Sequence, residues 1–143
     1  ESLYETLGLL IAHLDDPQST AELLVRFELL VLEELGFGLD LERCAATGTT
    51  EDLAYVSPKS GRAVSRAAGQ PWHDRMLALP AFLRPGAGVR GSPEAIDAAF
   101  RLTGFFMHRN LYEPRGIDEP AARASFMAAL ARTRAPSNGE DAA

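Results

Sequence analysis

The stretch LVRFELLVLEELGFGLDLERCAATGTTEDLAYVSPKSGRAVSRAAG, residues 24–69, decides the fold of this chain. Its first part has apolar residues at helical spacing, which predicts an amphipathic helix that begins near Ser19 or Thr20. The helix should end at Gly36, because glycine readily adopts the left-handed conformation that closes a helix. A turn over LDLERC and a loop at SPKSG follow. The stretch therefore predicts a helix, a turn and a small β-hairpin.

The helix in this stretch is predicted to be the buried centre of the domain. Its apolar stripe consists of Leu23, Leu24, Phe27, Leu30, Val31 and Leu35, and the face is widened by Val25, Leu29 and Leu32. Because Phe27 lies in the middle of this stripe, we expect its ring to belong to the core.

More helices are expected on both sides of the stretch. Apolar spacing predicts one over residues 2–14 and a short one around 74–79. Ser92 is a suitable N-cap, followed by a first-turn proline and an acid, for a helix over 93–112. A last helix is predicted to begin near Pro120.

These elements predict a mainly α fold with one helical domain. The domain is expected to span residues 1–135, with the hairpin inserted at about 47–69. Residues 136–143 have the composition of a disordered tail. No apolar run approaches the ~18 residues that a membrane span requires. The chain begins with Glu1 and lacks a signal-peptide pattern, so we expect a processed product or part of a longer cytoplasmic protein.

Charge is distributed unevenly along the chain. The net charge is −6, but residues 1–52 carry −10 and residues 53–135 carry +6. Thirteen of the fourteen basic residues are arginine, whose planar fork binds carboxylates and phosphates, although a GC-rich genome produces the same bias. As a set, these arginines predict a site for phosphates or an acidic peptide, and the alternative for each is a solvated surface charge. The candidates in the second half are Arg62, Arg66, Arg101, Arg109, Arg115 and Arg123.

Two patterns that look catalytic lack the context that their chemistry requires. His73 and His108 accompany serines and Asp74, but no G-x-S-x-G elbow is present. Residues 86–91 spell G-x-G-x-x-G, but no β-branched strand precedes them, so a loop is predicted instead of a nucleotide site. A small histidine-dependent enzyme remains an alternative that these patterns do not favour.

Four blocks together resemble the C-terminal domain of the bacterial RecO family of recombination mediators. They are RFELLVLEELGFGLDLERC, SPKSG, LALPAFL at 77–83 and AFRLTGFFMHRNLYEP at 99–114. The resemblance implies a non-enzymatic domain that acts in DNA repair and homologous recombination through the RecF pathway. The implied partners are RecR, the acidic C-terminal tail of the single-stranded DNA-binding protein, DNA, and RecA indirectly. The family's OB-fold, which is expected to contact most of the single- and double-stranded DNA, is not predicted in this sequence.

The resemblance also assigns candidate residues. Arg26 and Phe27 match the family motif, where they imply contact with the acidic tail, but Val25 occupies a position that is basic in some relatives. Some relatives hold zinc at the hairpin with two C-x-x-C pairs. Here only Cys44 of those four positions is a cysteine, so no zinc is expected and the hairpin should be held by packing. The expected packing residues are Leu53, Tyr55 and Val64. A purely structural helical module is the other alternative.

Overall fold

The computed structural model describes residues 17–84, 88–89 and 91–142, and side chains within 18–132 of that part. The predicted helix over residues 2–14 lies outside the described residues, as do residues 85–87 and 90 of the predicted loop. The described part is mainly helical and has one small antiparallel sheet, as the sequence predicts.

The first described helix, α1, spans Pro17–Glu34, and Gly36 lies just after it at the predicted helix stop. The Gly36 N–H donates to the carbonyl of Glu33, and the Phe37 N–H donates to the carbonyl of Leu32. This pair of bonds is the Schellman motif, and Gly36 has the positive φ of 93° that the motif requires. The chain therefore reverses sharply at residue 36.

The buried face of α1 differs from the predicted stripe. Leu24, Val25 and Leu32 are buried, whereas Leu23, Leu30 and Leu35 are exposed, so the prediction was wrong for those three leucines. Phe27 is only half-buried against the core. The reason is that the core face is centred on Glu28, which is fully buried, and apolar spacing alone does not identify a buried carboxylate.

The hairpin consists of β1, Leu53–Val56, and β2, Ala63–Ser65, and the chain returns as a third strand, β3, at Leu77–Ala78. The strand order is β2-β1-β3, with all pairs antiparallel. Of the expected packing residues, Leu53 and Val64 are buried and Tyr55 is half-buried. The predicted hairpin is confirmed, and β3 was missed.

Cys44 lies at the base of the hairpin, where it is 1% exposed. Its sulfur accepts hydrogen bonds from the backbone N–H groups of Ala46, Thr47 and Ser65 at 3.3–3.4 Å. Burial alone raises the pKa of the Cys44 thiol, but hydrogen bonds from Thr47 and Ser65 outweigh it and lower the pKa from 9.0 to about 6. The described residues contain no group of three or more potential metal ligands.

The segment between the hairpin and the next long helix is made of short turns. α2 spans Arg66–Gly69 and continues into a 3₁₀ segment, Gln70–Arg75. The predicted helix around 74–79 was wrong, because β3 pairs there with β1 instead. A second 3₁₀ turn, Ala81–Leu83, follows Pro80 and buries Phe82 and Leu83.

The second half of the domain is built from two long helices. α3 spans Pro93–Met107, with Ser92 as its N-cap, and continues as a π-helical turn, His108–Tyr112. A 3₁₀ turn, Glu113–Arg115, leads to α4, Ala121–Ala142. α4 includes residues 136–142, which belong to the segment for which composition predicts a disordered tail.

A buried ion pair joins α1 to α4. Glu28 of α1 and Arg123 of α4 are 0% and 3% exposed, and Arg123 Nε lies 2.7 Å from Glu28 Oε2. Thr103 of α3 donates to Glu28 Oε1 at 2.6 Å, and Arg123 also donates to the carbonyl of Phe100 at 3.1 Å. Each charge therefore has several partners, which buried charges require.

Candidate functional site

A pocket of about 340 Å³ lies beside the exposed side of α1. We call it the Arg26 pocket. Its walls combine two arginines, two glutamates and four leucines. They are Arg26, Arg84, Glu33, Glu42, Leu29, Leu39, Leu41 and Leu83. The pocket thus combines leucine side chains with charged groups in nearly equal share, and small binding sites commonly pair apolar walls with a few polar groups.

Three segments bring these side chains together. Arg26, Leu29 and Glu33 are three and four residues apart on α1, so they share one face of the helix. The reversal at Gly36 returns the chain past this face and supplies Leu39 and Leu41. Leu83 and Arg84, at the end of the 3₁₀ turn Ala81–Leu83, complete the wall of the pocket.

Arg26 is held in place while its head remains accessible. Its Nη2 donates to the carbonyl of Phe82 at 3.1 Å, and its guanidinium carbon lies 5.7 Å from the centre of the Phe82 ring. The residue is nevertheless exposed. A guanidinium has five N–H donors, so Arg26 retains donors for a ligand.

Arg84 is the more informative cation. Its Nε is buried and has no hydrogen-bond partner among the residues that the structure describes. An unpaired buried donor costs about 1–3 kcal/mol, and because Nε is covered, a carboxylate relieves that cost only if the Arg84 side chain turns toward the pocket that it lines. Arg84 was not predicted from the sequence, because nothing in the local pattern of LALPAFLR distinguishes it from a solvated residue.

The remaining predicted residues do not form a single site. Arg62 pairs with Asp40 at 3.9 Å, and Arg66 pairs with Asp52 at 3.2 Å. Arg115 donates to the carbonyl of Leu111 at 2.9 Å.

The two arginines predicted on α3 and its extension have different environments. Arg101 is exposed on α3. Arg109 is half-buried against Phe105 and Phe106. Arg123, which the sequence analysis grouped with them, is instead part of the core through Glu28. Among the predicted residues, only Arg26 lines the Arg26 pocket.

The sequence model of the family described as "Recombination protein O C terminal" matches residues 1–116. The chain belongs to this family. It is 63% identical over 144 residues to "DNA repair protein RecO" of Mesorhizobium japonicum, covering 99% of this chain and 57% of that protein. It is 58% identical over 130 residues to the protein of the same name from Chelativorans sp., covering 91% and 52%.

A third relative, "DNA repair protein RecO" of Rhizobium rhizogenes, is 58% identical over 127 residues, covering 89% of this chain and 49% of its own. The chain thus spans about half the length of the curated relatives that it matches. No solved structure matches it. Among the described residues, no helix is both long and apolar enough to cross a membrane.

Val25 and Phe27 flank Arg26 but do not line the Arg26 pocket of this RecO-family domain. Val25 is fully buried, so the position that is basic in some relatives is a core position here. Phe27 packs against the core from one side. The two matched residues therefore have different contacts: Arg26 lines the pocket, and Phe27 packs against the core.

Neither described histidine belongs to a catalytic arrangement. His73 Nδ1 lies 3.0 Å from the carbonyl of Gln70, and His108 is exposed. Among the described residues, neither imidazole is within hydrogen-bond distance of a serine, a cysteine or a carboxylate. His13 lies outside the described part. The geometry adds no support to the alternative of a histidine-dependent enzyme.

Proposed function

We propose that this chain is the helical domain of a DNA repair and recombination mediator, and that its Arg26 pocket captures the acidic C-terminal tail of the single-stranded DNA-binding protein. The observation that carries the proposal is the buried, unpartnered Nε of Arg84 beside the accessible guanidinium of Arg26. Both groups suit a terminal carboxylate, since arginine binds carboxylates through two parallel hydrogen bonds.

The apolar part of the pocket supports the same ligand. Leu29, Leu39, Leu41 and Leu83 offer contacts for an aromatic ring, and about 340 Å³ accommodates a terminal phenylalanine. Glu33 and Glu42 also line the pocket and repel further acidic residues of the tail. We therefore expect most of the affinity to come from the last residue and its carboxylate.

The wider role follows from the family and includes more than this pocket. The proposed activity is to help load RecA and anneal strands, in complex with RecR and with DNA. The uneven charge of the chain supports DNA contact through its second half, since residues 53–135 carry +6 and are the part suited to phosphates. The proposal includes no catalytic step and places the protein in the cytoplasm.

The tail proposal can be tested with a labelled peptide that has acidic residues followed by a C-terminal Pro-Phe. Arg84→Gln removes one charge and should weaken binding roughly 10-fold to 100-fold, because charge-assisted bonds contribute about 1.5–3 kcal/mol. Arg66→Gln is the matched control, since Arg66 is exposed outside the pocket. Equal affinities of the two variants would contradict the proposal, as would unchanged binding of a C-terminally amidated peptide.

A purely structural module is the second candidate function. It is favoured by the number of arginines whose charges are already engaged within the domain, through carboxylates or carbonyls. They are Arg62, Arg66, Arg115 and Arg123. This alternative predicts that Arg84→Gln changes neither peptide nor DNA binding.

A further inference from the structure

A second, smaller cleft of about 220 Å³ lies at the other end of the sheet, where three turns meet. The turns are the Schellman turn after α1, with Gly38 and Leu39, the tip of the hairpin at Ser60, and the π-helical turn with Arg109 and Asn110. We call it the turn cleft. Nearly all of the surface that it exposes is polar, whereas the Arg26 pocket exposes polar and apolar surface in similar amounts.

Arg109 supplies the positive charge of the turn cleft in a fixed orientation. Its guanidinium carbon lies 5.2 Å and 5.1 Å from the ring centres of Phe105 and Phe106. Its Nη1 donates to the carbonyl of Pro58, and its Nε donates to Asn110 Oδ1 at 3.5 Å. The remaining N–H donors have no partner among the described residues, and their position is set before any ligand arrives.

The backbone adds neutral donors to this charge. Gly38 and Leu39 both line the turn cleft, and their N–H groups have no acceptor among the described residues, whereas the N–H groups of Phe37 and Asp40 donate to Leu32 and Gly61. Close approach of the hairpin tip depends on Gly61, where a Cβ would lie 3.0 Å from Leu39 Cδ2. Consecutive free amides beside a fixed arginine are a common arrangement for binding oxyanions.

The charges around the turn cleft are also favourable to an anion. Lys59 is exposed at the hairpin tip. Asp40, next to Leu39 in the chain, pairs with Arg62 at 3.9 Å, and Glu33 packs against Gly38 but lines the Arg26 pocket. The π-helical turn itself is a feature that often marks functional sites.

We propose that the turn cleft binds one backbone phosphate of a single-stranded nucleic acid, through Arg109, Asn110, Ser60 and the free N–H groups of Gly38 and Leu39. A phosphate fits better than a peptide carboxylate, because the cleft is small and polar and has little exposed apolar surface for the side chain that would accompany a carboxylate. The inference rests on the proposed role in handling DNA, but not on tail capture.

The test uses Asn110→Asp, which keeps the shape of the side chain and its bond to Arg109 while placing a negative charge in the turn cleft. Gln70→Glu is the matched control, because it makes the same chemical change at the opposite end of the hairpin and keeps the acceptor for the Tyr55 hydroxyl. Binding of a thymidine strand of about 15 nucleotides is measured by fluorescence anisotropy over a series of salt concentrations.

The expected result is a loss of about tenfold or more in affinity for Asn110→Asp at low salt, with a salt slope smaller by about 0.7, the contribution of one phosphate of a single strand. Gln70→Glu should keep the slope of the parent chain. Ser60→Asp, at an exposed turn position, should reproduce the loss and exclude a folding defect, which circular dichroism and urea midpoints also check.

Three outcomes would overturn this inference. They are equal effects of Asn110→Asp and Gln70→Glu, the absence of strand binding by the parent chain, and loss of peptide affinity in Asn110→Asp with strand binding unchanged. The last outcome would make the turn cleft a peptide site. Because tail capture is tested separately with Arg84→Gln and the peptide, failure of either proposal is distinguishable from failure of the other.

Discussion

The backbone N–H of Ser65 donates to Cys44 Sγ at 3.3 Å, which joins the start of the hairpin region to the end of β2. The bond spans 21 residues and is fully buried. Together with the amides of Ala46 and Thr47, it gives the sulfur the surroundings of an anion site, so the charged thiolate is stabilised inside the fold.

This arrangement predicts a stability that depends on pH. The pKa of Cys44 is about 6 in the folded chain, against an ordinary value of 9.0, so between these values the unfolded chain binds the additional proton. Stability should therefore rise from pH 6 to pH 9, by at most about 4 kcal/mol, and the gain should be lost as the pH falls through 6. Cys44→Ser should lack this rise. Urea midpoints of both chains across this range provide the measurement, and parallel curves would contradict the prediction.

The buried ion pair predicts a large asymmetry between core and surface charges. Glu28→Gln leaves the buried Arg123 with only the half-exposed Glu119 as a counter-charge and should destabilise the chain by about 3–5 kcal/mol. Asp52→Asn breaks the exposed pair with Arg66 and should cost under about 1 kcal/mol. Urea unfolding of the two variants compares these values directly. Similar losses would mean that Glu28 is solvated in solution.

The half-burial of Phe27 predicts a smaller effect than full core burial would produce. Phe100→Ala should cost about 3–5 kcal/mol, because Phe100 is 1% exposed and its ring packs edge-on against Phe126. Phe27→Ala should cost roughly 1–3 kcal/mol, in proportion to the smaller area buried. Denaturant melts measure both. Equal losses would place Phe27 fully inside the core.

The single cysteine among the family's four zinc-ligand positions predicts a hairpin that does not require metal. The chain should purify without stoichiometric zinc, and a chelator should leave its Tm unchanged. Elemental analysis and thermal melts with and without the chelator give the answer. One zinc per chain would overturn this prediction, and it would require ligands other than those expected here.

The parts of the fold that follow local rules were predictable from the sequence. The end of α1 follows from Gly36, and the start of α3 follows from Ser92, because each depends on one residue and its neighbours. The hairpin was also found, since its strands flank a short polar loop. In contrast, β3 has only two residues, and it forms because Leu77 and Ala78 pair with β1 more than twenty residues earlier. Local patterns do not contain such a pairing.

The same distinction explains the candidate site. Arg26 was found by its place in a motif, whereas Arg84 joins it only through the fold, 58 positions along the chain. No sequence pattern singles out Glu28, and Arg123 was grouped with the arginines predicted to bind anions. Their burial became visible only when both helices were in place, because each charge is tolerated in the core through partners that the fold brings together, above all the other charge.

Glu28 and Arg123 are 95 positions apart, so they are synthesised at different times on the ribosome. At a translation rate of about 5–20 residues per second, Arg123 is added to the chain roughly 5–20 seconds after Glu28. Until then α1 cannot bury its central face without a lone charge, so docking of α1 on α3 is delayed until the last helix emerges. Nascent chains stopped before Arg123 should therefore remain sensitive to proteases. The domain should fold completely only after the final helix has been synthesised.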